Sequence, residues 1–377
     1  MNGLSLSRIT AVIAKEFTQL VRDRLTYAMI VGIPIIQLLL FGYAINSDPK
    51  HLPTAVLVQD QGAFSRSVVG AMQRSDYFDI VANARSPAEM DKLIERGEIQ
   101  FAVTIPGDFT RRVVRHDNPR ILVEADASDP AATGGAVAAL AQLPQYALVH
   151  DLKGSVAPAA APVQPFQVIV QRRYNPENIT SYNIVPGLMA TILTMTLVMM
   201  TALAVTRETE RGTMEMLLST PVRPLEVMIG KLTPYVVVGV IQALIILVMA
   251  RLMFGVPLEG GWLALIVGMA LFIVGNLALG FLISTVARNQ LQAMQMGMFY
   301  FLPSILLSGF LFPFRGMPEW AQWLGTILPI THMLRVVRGS VLKGIGIADQ
   351  LPNLGALTLF VMVVAGLAIK QYRTTLD

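Results

Sequence analysis

The residues best placed to do chemistry lie in one charged island, TRETERGTMEMLLSTPVRPLEVMIGK, residues 206–231. Glu208, Arg211 and Glu215 are spaced i, i+3 and i+7, so a helix through them puts all three on one face. Met214, Leu217 and Leu218 fall on another face. Thr220-Pro221 stops the helix, because proline has no N–H and disfavours helix before it. The chemistry on offer is ion pairing rather than bond making. A short amphipathic helix of this kind lies along a membrane surface and presents its polar face to a soluble partner.

Other chemistries are missing from the 377-residue sequence. There is no G-x-x-x-x-G-K-[ST] phosphate loop, no H-E-x-x-H and no G-x-S-x-G elbow. There are no cysteines, so disulfides and Cys-based zinc or redox sites are excluded. His51, His116, His150 and His332 are scattered and read as surface or packing residues. No catalytic group, metal ligand set or cofactor site is expected on this chain.

The elements around the island explain its setting. The sequence is 54% hydrophobic and 14% charged, against about 25% charged in soluble domains, which places it in the membrane class. Six runs approach the roughly 20 apolar residues needed to cross a bilayer: 26–45, 184–206, 232–250, 262–287, 291–312 and 351–369. None contains Asp, Glu, Lys or Arg. The first is too long for a signal-peptide core and reads as a retained span. With the N-terminus inside, eleven Lys and Arg fall on the cytoplasmic side and five on short outer loops. This bias predicts both termini cytoplasmic. The outer five are Arg251, Arg315, Arg335, Arg338 and Lys343. The small net charge of +4 suits a membrane protein and gives no sign of nucleic acid.

Polar side chains within spans are costly and mark either interhelical hydrogen bonds or a substrate path. Gln37, Asn183, Thr191, Thr194, Gln242, Asn276, Gln292 and Gln295 are of this kind. Met195, Met199, Met294, Met296 and Met298 add flexible apolar surface, or simply fill helix packing. Pro34 and Pro303 are placed to kink their helices.

Four regions follow. Residues 1–25 form an amphipathic connecting helix, and 26–46 carry the first span. Residues 47–178 form an external α/β domain: 54–59, 99–105 and 120–126 read as strands and 63–74, 86–96 and 108–115 as helices. Ser86 and Asp108 stand at N-cap positions. A longer helix is expected over 131–152, a Pro/Ala linker over 155–165, and a returning strand after it. Residues 179–377 carry spans two to six, the charged island as a helix over 207–221, and an outer hairpin over 313–345. That hairpin holds Trp320, Trp323 and Pro329 and reads as re-entrant or interfacial rather than as a seventh span.

Two stretches carry a resemblance. E-x-E-R-G-T-x-E-x-L-L-x-T-P, followed by Glu226 and Gly230-Lys231, resembles the coupling-helix loop of ABC-2 type transporter permeases. LPSILLSGFLFPFRGMPEWAQWLGTILPITHMLRVVRG resembles the fifth span and outer hairpin of the same proteins. The external domain suits the branch that exports drugs and lipids. The resemblance implies a six-span membrane subunit in the bacterial inner membrane, working as a pair of identical or similar permease chains with two ATPase copies that bind Mg-ATP. It implies ATPase coupling through Glu208, Glu210, Arg211, Gly212, Thr213, Glu215, Leu218 and Pro221. It favours Gln37, Thr191, Thr194, Gln292 and Gln295 along the path, and gives the hairpin Pro329, Arg335 and Arg338. The external domain would offer a face to a periplasmic adaptor. The residues also leave open a membrane-anchored sensor or scaffold, whose external domain binds a ligand and whose loop signals inward.

Overall fold

The computed structural model describes residues 49–149, 151–152, 164–177, 179–210 and 224–371. The expected connecting helix, the first span with Gln37 and Pro34, most of the linker and residues 211–223 of the charged island lie outside the described residues.

Among the described residues a five-stranded sheet is the centre of an α/β domain, from β1 (Leu52–Val58), β2 (Phe78–Asn83), β3 (Phe101–Ile105), β4 (Arg120–Asp126) and β5 (Gln167–Arg173). The strand order is β2-β1-β3-β4-β5. β1 runs parallel to β2 and β3, with Thr54 opposite Phe101. β4 is antiparallel to β3, pairing Val103 with Val123, and parallel to β5, pairing Ile121 with Val168. Strand β1, LPTAVLV, is buried along nearly all its length because helices cover both sheet faces. Helices α1 (Ala63–Arg74), α2 (Pro87–Glu95), α3 (Phe109–Val114) and α4 (Pro130–Tyr146) supply that cover. Their apolar sides close the core with Phe101, Phe109 and Phe166.

The sequence reading missed β2. FDIVAN is short, alternates half-buried and exposed positions, and sits on an edge, so it carries no continuous apolar run. Helix α4 ends at Tyr146 rather than 152. Ser86 accepts from the Glu89 amide at 3.3 Å and caps α2, whereas the Asp108 side chain makes no cap bond to α3.

Among the described residues seven α-helices form the other region: α5 (Thr180–Glu210), α6 (Pro224–Phe254), α7 (Trp262–Val286), α8 (Gln290–Leu307), α9 (Glu319–Ile327), α10 (Pro329–Lys343) and α11 (Ile347–Gln371). Among the described residues, four are long and apolar enough to cross a membrane, over Ser181–Glu210, Leu232–Phe254, Trp262–Val286 and Ile347–Gln371. Helix α8 has 18 residues, about 27 Å at 1.5 Å per residue. It is shorter than the expected run to 312 because the chain turns at Gly309, whose φ of +84° a side chain would strain. Helices α9 and α10, of 9 and 15 residues, are each too short to span a bilayer. Trp320 and Trp323 are exposed on α9, while α10 is buried along most of its length.

Helix α7 is the centre of the bundle, against α5, α10 and α11. Phe272, Phe281, Leu193, Leu197, Met333 and Leu357 meet there. Gly280 lets α5 approach: a Cβ at that position would lie 2.6 Å from the Val198 carbonyl oxygen. Helix α6 instead turns Ile241, Leu244, Ile245 and Leu252 outward, as a lipid-facing helix does.

Candidate coupling site and its outer latch

Helix α5 joins the two regions. It follows directly from β5 through a turn in which Asn175 accepts from the Ile179 amide at 2.8 Å and donates to its carbonyl at 3.0 Å. It then continues for 31 residues, about 46 Å. The expected second span and the start of the charged island are thus one helix. Glu208 and Glu210 stand in its last turn, Glu208 half-buried and Glu210 exposed. Arg211, Gly212, Thr213, Glu215, Leu218 and Pro221 lie outside the described residues.

At this far end Glu210 reaches across to the α7–α8 turn. One carboxylate oxygen accepts from the Gln290 amide at 2.7 Å, and the other accepts from the Gln290 side-chain Nε2. Asn289 Oδ1 accepts from the Gln292 amide at 2.8 Å, and Gln292 Oε1 accepts from the Arg288 amide at 2.6 Å. Gln292 is therefore engaged in capping α8. The sequence signal was the Asn-x-x-Gln spacing of a capping box, masked by the apolar run around it.

The other path residues are placed differently. Thr191 and Thr194 are buried in α5 and donate to the Gly187 and Ala190 carbonyls, each at 2.9 Å. Gln295 is half-buried on α8. Gln242 on α6 accepts from Thr196 on α5 at 2.8 Å, an interhelical bond. Asn276 donates to the Phe272 carbonyl at 2.8 Å within α7. His332 is a packing residue, within 2.8 Å of the Thr326 carbonyl and 3.2 Å of Asn353 Oδ1.

The five basic residues expected on outer loops are tied down. Lys343, near the end of α10, pairs with Asp126 at the end of β4 and donates to the Ile94 carbonyl at 3.3 Å. Both members of that pair are more than nine-tenths buried. Arg338 lies 3.3 Å from Asp129. Arg315 donates to the Gly97 carbonyl at 3.1 Å, and Arg251 to the Val256 carbonyl at 3.3 Å. Among the described residues Arg335 meets no carboxylate; its guanidinium sits 4.8 Å from the Phe314 ring centre. Arg96 on the domain meets Asp349 on α11 at 3.0 Å. Pro329 opens α10 at its first turn, where its missing N–H costs nothing.

Tyr174, just past β5, sits 4.9 Å from the Lys343 ammonium. Burial pushes its hydroxyl up to about 12, with the Asp126 and Glu95 charges adding to the shift. Asp129 and Asp126, the partners of Arg338 and Lys343, lie 209 and 217 residues away along the chain, so the sequence alone did not single out either carboxylate.

Four helices long and apolar enough to cross a membrane, packed beside an α/β domain, define a multi-pass membrane protein among the described residues. Residues 24–370 match the family described as "ABC-2 family transporter protein", and the chain belongs to that family. It is 33% identical over 348 residues to the probable multidrug ABC transporter permease YbhS of Escherichia coli K12, covering 90% of each chain. It is 28% identical over 367 residues to the probable multidrug ABC transporter permease YbhR of the same strain, covering 97% of this chain and 98% of that one. It is 25% identical to ABC transporter G family member 20 of Dictyostelium discoideum, over 89% of this chain and 46% of that protein. The chain is thus an ABC transporter permease subunit and not itself an enzyme.

Proposed function

We propose that this permease exports hydrophobic or amphipathic compounds, drugs or lipids, out across a bacterial inner membrane. In this reading two permease chains, identical or similar, pair with two separate ATPase subunits that hold Mg-ATP. Both termini are cytoplasmic. ATP binding closes the ATPases, pushes on the island from Glu208 to Pro221, and tilts the helices between two states. Thr191, Thr194 and Gln295, with Gln37 of the first span, line the path between the paired chains.

The observation that carries this reading is the continuity of α5. One helix joins the external domain to the charged island, so a push at one end has a stiff element through which to act at the other. The membrane runs also lack the ionisable groups that an ion-driven carrier would use.

The sensor reading has less support. Open α/β sheets bind ligands where adjacent strands send their connections in opposite directions, here at the ends of β1 and β3. Asp60, just past β1, already accepts there from Ser65, Thr110 and the Gly62 amide. Burial would raise the Asp60 carboxyl, but these hydrogen bonds outweigh it and hold the group below the usual range. A face of the domain remains available to a periplasmic adaptor.

The test is Glu215→Arg in the permease–ATPase complex. Removing one partner of a desolvated interface charge pair costs about 2–5 kcal/mol. The variant should insert normally yet lose the ATPase or the link between hydrolysis and export. Export at the wild-type rate would reduce the island to a plain connector.

A further inference from the structure

Resemblance assigns Glu210 to the ATPase-contacting face, but its carboxylate is already engaged within this chain. We propose that Glu210 is an intramolecular clamp: it binds the first turn of α8 to the last turn of α5, so that the start of α8 moves with the charged island. Glu210 is a positioning residue in this account, and the turn of Arg288 and Asn289 becomes a second part of the surface that the island presents. The proposal rests on the reading of this chain as an ATP-driven permease.

The geometry is that of a helix cap supplied from another helix. The first amides of a helix have no partner within it. At α8, the Gln292 amide goes to Asn289 Oδ1 and the Ala293 amide to the Asn289 carbonyl. The Gln290 amide goes to Glu210, 80 residues away. The same carboxylate takes the Gln290 side-chain amide through its second oxygen. A negative charge at a helix N-terminus also meets the positive end of the helix dipole. Further along, α5 and α8 touch at Gly297, where an added Cβ would lie 2.7 Å from the Met199 sulfur. The clamp and this contact hold α8 to α5 at two points along its length. A displacement of the island then reaches Gln295, Met294 and Met298 on α8 without passing through α6 or α7.

The bond pattern makes a specific prediction about polarity. A glutamine at 210 can accept from the Gln290 amide with its oxygen and donate through its nitrogen to the Gln290 side-chain oxygen, once that amide is turned over. Glu210→Gln should therefore keep the clamp, and Glu210→Ala should lose it. Gln290→Glu sets two carboxylates against each other and should lose it too. Combining Glu210→Gln with Gln290→Glu restores a donor opposite an acceptor.

The experiment reads substrate molecules exported per ATP hydrolysed, in vesicles holding permease and ATPase, using a fluorescent amphipathic dye as probe. Glu210→Ala and Gln290→Glu should each lower the ratio by roughly fivefold, the order expected for lost hydrogen bonds to a charged group in an exposed setting. Glu210→Gln and the double variant should lie within about twofold of wild type. Failure of the double variant to recover would overturn the clamp, as would release of the ATPase by Glu210→Gln, which would make Glu210 an intersubunit contact. Hydrogen exchange at the Gln290 amide, measured on the permease in detergent, needs no transport. Exchange there should accelerate in Glu210→Ala but not in Glu210→Gln; unchanged exchange in Glu210→Ala overturns the proposal. An inactive wild-type complex would count against the export reading alone, because the exchange measurement still decides on the clamp.

Discussion

Replacing Lys343 by Met tests whether a buried charge pair holds the α/β domain to helix α10. Lys343 and Asp126 are 7% and 9% exposed, so their pairing is only weakly screened by water. Methionine keeps most of the side-chain length and apolar contact but removes the charge. Breaking a buried pair by removing one partner costs about 3–5 kcal/mol, mostly from the charge left behind. Here Asp126 keeps one donor, the Ser128 amide at 3.1 Å, which lowers the expectation to about 2–4 kcal/mol. If the interface opens without global unfolding, its opening equilibrium rises about thirty- to eight-hundredfold, at a factor of ten per 1.4 kcal/mol. Hydrogen exchange of the amides in 126–129 and 339–343 reads this directly. The double variant Asp126→Ala, Lys343→Met removes both charges and should exchange more slowly there than Lys343→Met alone. Protection within about threefold of wild type in the single variant, or no recovery in the double, would refute the latch.

Three further outcomes follow from particular contacts. Tyr174, held at about 12 against an ordinary 10.0, is neutral in the folded protein at pH values where the unfolded chain ionises it. Its contribution to stability is complete below pH 10 and is lost as pH rises towards 12, so Tyr174→Phe should remove one tyrosine from the late phase of an absorbance titration. Gly280→Leu should destabilise the α5–α7 contact by about 1–3 kcal/mol or more, because the Val198 backbone cannot yield, and melting in detergent should fall accordingly. A cysteine at Gln73, exposed on α1, should react with an impermeant thiol reagent added to sealed cells and one at Thr375 should not; labelling at Thr375 would overturn the predicted orientation.

Much of the architecture was legible because apolar run length reports on a bilayer so directly. The runs at 184–206, 232–250, 262–287 and 351–369 each became a long helix. The α/β domain was legible where strands are buried on both faces, as in β1 and β3, and not at the half-exposed edge strand β2. Local signals also misled where a second interaction competed. Gln292 looked like a polar group facing a path, yet it caps the helix that carries it. The basic residues at 338 and 343 contradicted the inside-positive trend until Asp129 and Asp126 were seen opposite them. Such pairings join distant parts of the chain, and no periodicity in a single sequence encodes them. The charged island was the reverse case: it stood out in the sequence, while half of it, residues 211–223, lies outside the described residues.

The most direct measurement is ATP-dependent movement of an amphipathic dye by the permease and its ATPase reconstituted together in proteoliposomes. Export should require ATP hydrolysis and both chains, should stop when the ATPase's own phosphate-loop lysine is replaced, and should persist when ion gradients are collapsed. Dye movement driven by an ion gradient without ATP, or no ATP-dependent movement from an intact complex across a panel of hydrophobic and amphipathic compounds, would contradict the account.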